Sequence, residues 1–151
     1  GAFGTRGFSI LDFGVVLEGY TSDVTMSFVR GPLEPRQERM LELVREAYEK
    51  AVAACAPGIP ARQPALLADS IFAQAGYSMP HSLGHGIGLE AHEAPGINLR
   101  EENDALLEPG TIITIEPGLY HPELGGIRWE NDVLITETGA RVLTESKIVE
   151  L

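Results

Sequence analysis

Cysteine is almost absent. Cys55 stands alone among 151 residues, so the chain cannot close an internal disulfide and nothing points to an oxidising compartment. A cytoplasmic location is therefore expected. Bases are scarce as well: 11 Lys and Arg face 22 Asp and Glu, for a net charge of −11. The bases form no cluster, and a chain this acidic repels nucleic acid and anionic membrane surfaces, so neither is an expected partner. No apolar run approaches the roughly 20 residues of a membrane span. The opening residues, Gly1 to Gly7, lack the charged-then-apolar order of a secretory signal. The chain starts with Gly and not Met, which reads as a tag remnant or a processed end within a longer protein. Solenoid-period repeats and low-complexity segments are missing too. With 44% hydrophobic residues, the chain has enough apolar surface for the core of one globular domain.

What is present begins with a hairpin. Residues 8–17 (FSILDFGVVL) and 20–29 (YTSDVTMSFV) are rich in β-formers, with Glu18-Gly19 between them. A pairing centred between Leu17 and Glu18 sets Asp12 opposite Asp23. Like charges directly opposed on a sheet are destabilising, so something must compensate, and a cation is the simplest candidate. Beyond Gly31-Pro32, the residues Met40, Leu41, Val44, Tyr48, Ala51, Val52 and Cys55 recur at helical spacing until Pro57-Gly58. Cys55 on that stripe reads as core. A second helix is expected from about Pro64 to Ala75, stopped by Gly76. A polar segment runs from Glu93 to Pro109, and its acidic run Glu101, Glu102 and Asp104 reads as a solvated loop. Residues 111–120 (TIITIEPGLY) and 126–136 (GIRWENDVLIT) form a second hairpin, and a pairing centred on Glu123 sets Glu116 opposite Glu130. Pro117 predicts a bulge or ladder break beside Glu116. A short strand from Ala140 to Thr144 closes the chain. Trp129 and Tyr120 read as packing residues and His121 as a surface loop residue.

Between the hairpins lies His81-Ser-Leu-Gly-His85-Gly-Ile-Gly-Leu-Glu-Ala-His92-Glu93, which holds three of the four histidines and three glycines. Imidazole is the usual nitrogen ligand and proton carrier near neutral pH, and closely set glycines let backbone pass near an ion or a substrate. This stretch taken alone is explained equally well by a polar loop with surface histidines. Beside two hairpins that each pair carboxylates, it suggests a two-ion site. Four carboxylates and one imidazole suit Mn²⁺, Co²⁺, Fe²⁺ or Zn²⁺ and not a structural thiolate zinc site. Such a pair of ions activates water for hydrolysis.

The sequence resembles the metallopeptidases of the pita-bread fold, which include methionine aminopeptidase, aminopeptidase P and prolidase. The resemblance rests on D-F-G and then G-Y-x-S-D-x-T across Asp12 to Thr25, on the stretch His81 to Glu93, on T-I-E-P-G-L-Y at Thr114 to Tyr120, and on G-G-I-R-x-E-x-D at Gly125 to Asp132. It runs over nearly the whole chain. It implies a partial α+β pita-bread fold, with a curved antiparallel sheet and covering helices. It also implies metal ligands at Asp12, Asp23, His85, Glu116 and Glu130, with Asp23 and Glu130 bridging. Glu116 would move the proton from water to the leaving nitrogen, His92 would contact the substrate carbonyl, and His81 would line the substrate pocket. Two divalent ions are implied, manganese first, with cobalt, iron or zinc as alternatives. The wording near His92 is closer to the Xaa-Pro branch, so the expected substrate is a short peptide with proline at its second position.

Some positions depart from the pattern. Met26 stands where an arginine commonly follows S-D-x-T, and Trp129 and Asn131 flank Glu130 where aliphatic and acidic residues are usual. Family domains also carry a sizeable segment before the first aspartate, with another pocket histidine, whereas Asp12 here follows only eleven residues. Residues 1–151 are therefore expected to be the C-terminal portion of a pita-bread catalytic domain, or a short relative that covers its sheet with another chain, a homodimer being the expected assembly. The alternative function is a catalytically inactive relative that binds peptides or proteins.

Overall fold

Why the first hairpin turns where it does follows from two backbone angles. In the computed structural model, which describes residues 6–151, Glu18 has φ 52° and Gly19 has φ 88°. Two left-handed residues in succession give the turn whose twist matches that of the flanking strands, and glycine makes the second position inexpensive. The reading of Gly1 as a processed end lies outside the described residues. Strands β1 (Gly7–Phe13), β2 (Val16–Leu17), β3 (Tyr20–Thr21) and β4 (Val24–Arg30) build the hairpin, β1 pairing with β4 and β2 with β3. Asp12 pairs with Thr25 and not with Asp23, which corrects the expected register. The turn is centred one residue later than its composition suggested, and the register moves by two. A shift of two preserves the face on which each side chain lies. Asp12 and Asp23 thus still line one cavity.

Helix α1 (Pro35–Ala54) follows, with Pro35 at its first position and Gln37 accepting the Glu34 N–H at 3.0 Å. Its stripe Met40, Val44, Ala47 and Ala51 is fully buried, and Cys55 just beyond lies in the core as expected. Helix α2 (Arg62–Gln74) packs Ala65, Ala68 and Phe72 against it and ends before Gly76, whose φ is 77°.

The remaining strands are β5 (Gly84–Gly86), β6 (Glu93–Ile97), β7 (Ile112–Ile115), β8 (Gly118–His121), β9 (Gly125–Arg128), β10 (Asn131–Ile135), β11 (Ala140–Val142) and β12 (Ile148–Glu150). An antiparallel sheet runs in the order β11-β10-β7-β5-β6, β8 pairs with β9, and β12 lies parallel to β4. Both β6 and β12 are additions to the sequence reading. Glu93–Ile97 has a polar, Pro- and Gly-containing sequence and becomes a strand because β5 offers it an edge. The acidic run after it is exposed, as expected. In the second hairpin the expected register holds: Asn131 pairs with Ile115 and Arg128 with Gly118, which brings Glu130 level with Glu116. The ladder breaks at Glu116-Pro117, between β7 and β8. Ile113 and Ile115 are buried in the core against the helices. Strand alternation turns Thr114 and Glu116 to the other face, and that face carries the site.

Candidate metal centre

Glycine sets the position of His85. A Cβ at Gly84 would stand 1.9 Å from the Thr114 carbonyl oxygen, and one at Gly86 would stand 2.2 Å from that of Ala94. Only bare backbone fits between β7 and β6, so His85 is carried into the centre of the sheet. Its main-chain N–H donates to Thr114 Oγ1 at 3.1 Å, and its Nδ1 donates to Gly86 O at 3.0 Å. That second bond leaves the Nε2 lone pair facing the carboxylates, the arrangement a metal-ligating imidazole needs. Nε2 lies 3.5 Å from Glu116 Oε1 and 3.9 Å from Asp23 Oδ2.

The two hairpins meet at this point. Thr25 and Glu130 form a bridge between them, with Glu130 N–H donating to Thr25 O at 3.3 Å and Thr25 Oγ1 donating to Glu130 Oε2 at 2.5 Å. Asp23 is held through its backbone, its N–H lying 3.3 Å from each oxygen of Asp132. One donor atom from each of Asp23, His85 and Glu130 falls within 4.8 Å of the other two. Glu116 borders that group through His85. Asp12 lies in the same cavity, of about 640 Å³, but its carboxylate is paired with Arg128. The cavity is also lined by His81, His92 and Gly96.

The structure adds Arg128 and Tyr120 to the site and corrects the reading of Tyr120 as packing. The Arg128 guanidinium bonds Thr25 Oγ1 through Nε (3.0 Å), Tyr120 Oη through Nη1 (3.1 Å) and Asp12 through Nη2. The Tyr120 hydroxyl lies 3.0 Å from His81 Nε2, while His81 Nδ1 donates to Ser82 O at 2.7 Å. A chain of bonds thus runs from Asp12 to His81. Burial holds the His81 imidazole below its usual range, which suits the neutral ring that this tautomer requires. His92 is exposed at the rim, its ring centroid 4.2 Å from that of His85. His121 sits apart, against Arg36.

The electrostatics show a shortage of positive charge. Burial first, and then the neighbouring carboxylates, push Glu130 up to about 8 and Glu116 up to about 7. Asp23 is raised by burial and by Asp12. Asp132 is lifted to about 6, mainly by burial. Clustered carboxylates in a low-dielectric site favour their ionised forms only when a cation is near. The donor set fits one: carboxylates and a single imidazole, no thiolate, and hydroxyls of Thr25 and Thr114 orienting the ligands.

The model of metallopeptidase family M24 matches residues 4–137. The chain belongs to this family. Among its relatives, this M24 chain is 44% identical over 140 residues to the Xaa-Pro dipeptidase of Pyrococcus furiosus, covering 91% of the chain and 40% of that protein. It is also 44% identical over 140 residues to the putative dipeptidase YkvY of Bacillus subtilis, covering 91% of the chain and 38% of that protein. The solved prolidase of Pyrococcus horikoshii superposes with a TM-score of 0.88 at 41% identity, over 93% of the chain and 41% of its own. The methionine aminopeptidase of Rickettsia prowazekii shares the fold, with a TM-score of 0.78 at 19% identity over 91% of the chain and 64% of its own. The M24 chain is thus part of a pita-bread fold, and it spans about two fifths of the length of its dipeptidase relatives.

Proposed function

We propose that residues 1–151 are the C-terminal portion of the catalytic domain of a dinuclear metal-dependent peptidase that cleaves an N-terminal Xaa-Pro bond, of prolidase or aminopeptidase P type. The observation that carries this reading is the convergence of Asp23, His85, Glu116 and Glu130, with Asp12 beside them, in one cavity of an M24 chain. In this reading those five residues hold two divalent ions, manganese first. Bound there, the ions supply Lewis acidity and a water acidified toward neutrality.

The chain's own groups do the rest. Glu116 lies between sides, with Oε1 3.5 Å from His85 Nε2 and Oε2 4.0 Å from His81 Nδ1, a position from which a carboxylate takes a proton from water and returns it to the leaving nitrogen. His92 at the rim donates to the substrate carbonyl oxygen as it gains charge. His81, fixed by Ser82 and Tyr120, lines the pocket for the residue after the scissile bond. We also read the protein as a cytoplasmic homodimer. Among the described residues no helix is long and apolar enough to cross a membrane.

The test is proline release from Xaa-Pro dipeptides by the longest polypeptide that carries this chain. Activity should vanish with a chelator and return with Mn²⁺ or Co²⁺; cleavage that ignores the chelator sinks the proposal, and selective cleavage of Met-Ala peptides would place the chain with methionine aminopeptidase. A second reading, a catalytically inactive peptide- or protein-binding module, draws on the Arg128 guanidinium bonded to Asp12. It wins if purified protein binds no divalent ion at micromolar concentration and cleaves nothing.

A further inference from the structure

Behind the carboxylates lies a buried polar group to which the proposed reaction assigns no step. Asn131 is 2% exposed. Its side-chain oxygen accepts from the Thr144 hydroxyl at 3.0 Å and from the Ser146 N–H at 2.8 Å, and its Nδ2 donates to the Tyr48 hydroxyl on α1 at 2.9 Å. Each of the first two partners leads to a different carboxylate. The Ser146 hydroxyl donates to the main-chain oxygen of Glu130. Thr144 Oγ1 accepts the Asp132 N–H at 2.9 Å, and the Asp132 carboxylate in turn receives the Asp23 N–H. Trp129 closes the group, its ring stacked on Tyr48 with centroids 4.0 Å apart and its Nε1 donating to Ser146 O at 3.0 Å.

We infer that Asn131 is a positioning residue that sets the separation of the Asp23 and Glu130 carboxylates, and through that separation the binding of the second of two divalent ions. The inference rests on the ligand set proposed above. Asp23 and Glu130 come from different hairpins, so covalent geometry does not fix their spacing. Glu130 is held at its carboxylate by Thr25 and at its main-chain oxygen by Ser146, while Asp23 is held through Asp132. Asn131 is the residue on which the two supports join. A buried, satisfied network holds its members to one geometry, and partners behind metal ligands tune affinity strongly. Without the amide, Ser146 N–H and the Thr144 hydroxyl lose a shared acceptor, and the supports behind the two carboxylates are no longer joined, which leaves the direct Thr25–Glu130 and Asp23–Asp132 bonds to hold their spacing.

The experiment counts Mn²⁺ bound per chain by equilibrium dialysis and records the electron paramagnetic resonance spectrum, which reports exchange coupling between neighbouring ions. The wild-type chain should bind two ions and show a coupled spectrum. Asn131→Ala should weaken the second ion about tenfold or more and diminish the coupling. Thr144→Val removes the hydroxyl's two bonds, to Asn131 and to Asp132, and leaves the Ser146 branch in place, a milder change than the alanine variant; it should weaken the second ion measurably, with the first ion unaffected. A merely structural role would lower the melting temperature of both variants and leave ion number and coupling unchanged, and that result overturns the inference while the proposed function stands. If the longest wild-type polypeptide that carries this chain binds no Mn²⁺, both are overturned.

Discussion

Arg128 engages the first hairpin through Thr25 and Asp12 and the second through Tyr120, using three separate nitrogens. A planar fork of donors with that reach has no equivalent in lysine, whose ammonium is a compact point charge. Arg128→Lys should therefore cost about 10–100-fold in metal affinity or activity; affinity and turnover within twofold of wild type would show that the fork is dispensable. A second expectation concerns protons. Glu130 is pushed to about 8 and Glu116 to about 7, from an ordinary value of 4.5. Between pH 4.5 and those values the folded, metal-free chain keeps protons that the unfolded chain has released. Their contribution to stability is therefore intact below about pH 4.5 and is lost as pH rises through 7 and 8. Thermal unfolding of chelator-treated protein should show wild type losing stability from pH 5.5 to 8 relative to the Glu116→Gln, Glu130→Gln double variant, and parallel profiles would refute it. Metal binding must displace the same protons, so affinity climbs over that window. At this scale the histidines, aspartates and glutamates were readable because their types and motif spacing announce them. The bonds of Arg128 were not, since its partner Asp12 lies 116 residues away in sequence.

The elements explain why a register error left the site intact. Residue order placed the turn of the first hairpin at the right pair of amino acids, Glu18 and Gly19, yet centred the pairing one position early; backbone angles of 52° and 88° at those residues settle the centre, and side-chain alternation with a period of two keeps Asp12 and Asp23 on one face. The second hairpin was placed correctly because Pro117 and the glycines at 125 and 126 leave little choice. Strand β5 is the element with least tolerance. Because a Cβ at Gly84 would come within 1.9 Å of the Thr114 carbonyl oxygen, Gly84→Ala should force β5 away from β7, lower stability by about 1–3 kcal/mol as an overpacked core does, and displace His85. Denaturant unfolding together with a metal titration checks this, and a variant that keeps both wild-type stability and wild-type ion affinity would contradict it. The sequence of strand β6, with Pro95 and Gly96, carries no strand signal; pairing with β5 makes it a strand.

For the molecule as a whole, the clustered carboxylates predict strong linkage between ions and folding. If the ions bind only the folded chain, Mn²⁺ at a hundred times its dissociation constant stabilises by about 2.7 kcal/mol, equivalent to a rise of about 5–10 °C for a domain of this size. Differential scanning calorimetry with and without Mn²⁺ measures it, and an unchanged melting temperature would count against the metal centre. The hairpin tip is a second whole-molecule feature: Val16, Leu17 and Tyr20 are 65–74% exposed. Residue order alone was enough for the helices, the two hairpins and the family resemblance, because periodicity, turn chemistry and motif spacing are local properties of a chain. Packing was needed to close β5 between β7 and β6, to bring Thr25 of one hairpin onto Glu130 of the other, and to join Asn131, Thr144 and Ser146 behind them. The first depends on which edge is free to pair, the second links residues 105 apart, and the third joins side chains whose meeting no local periodicity announces; only the assembled sheet specifies them.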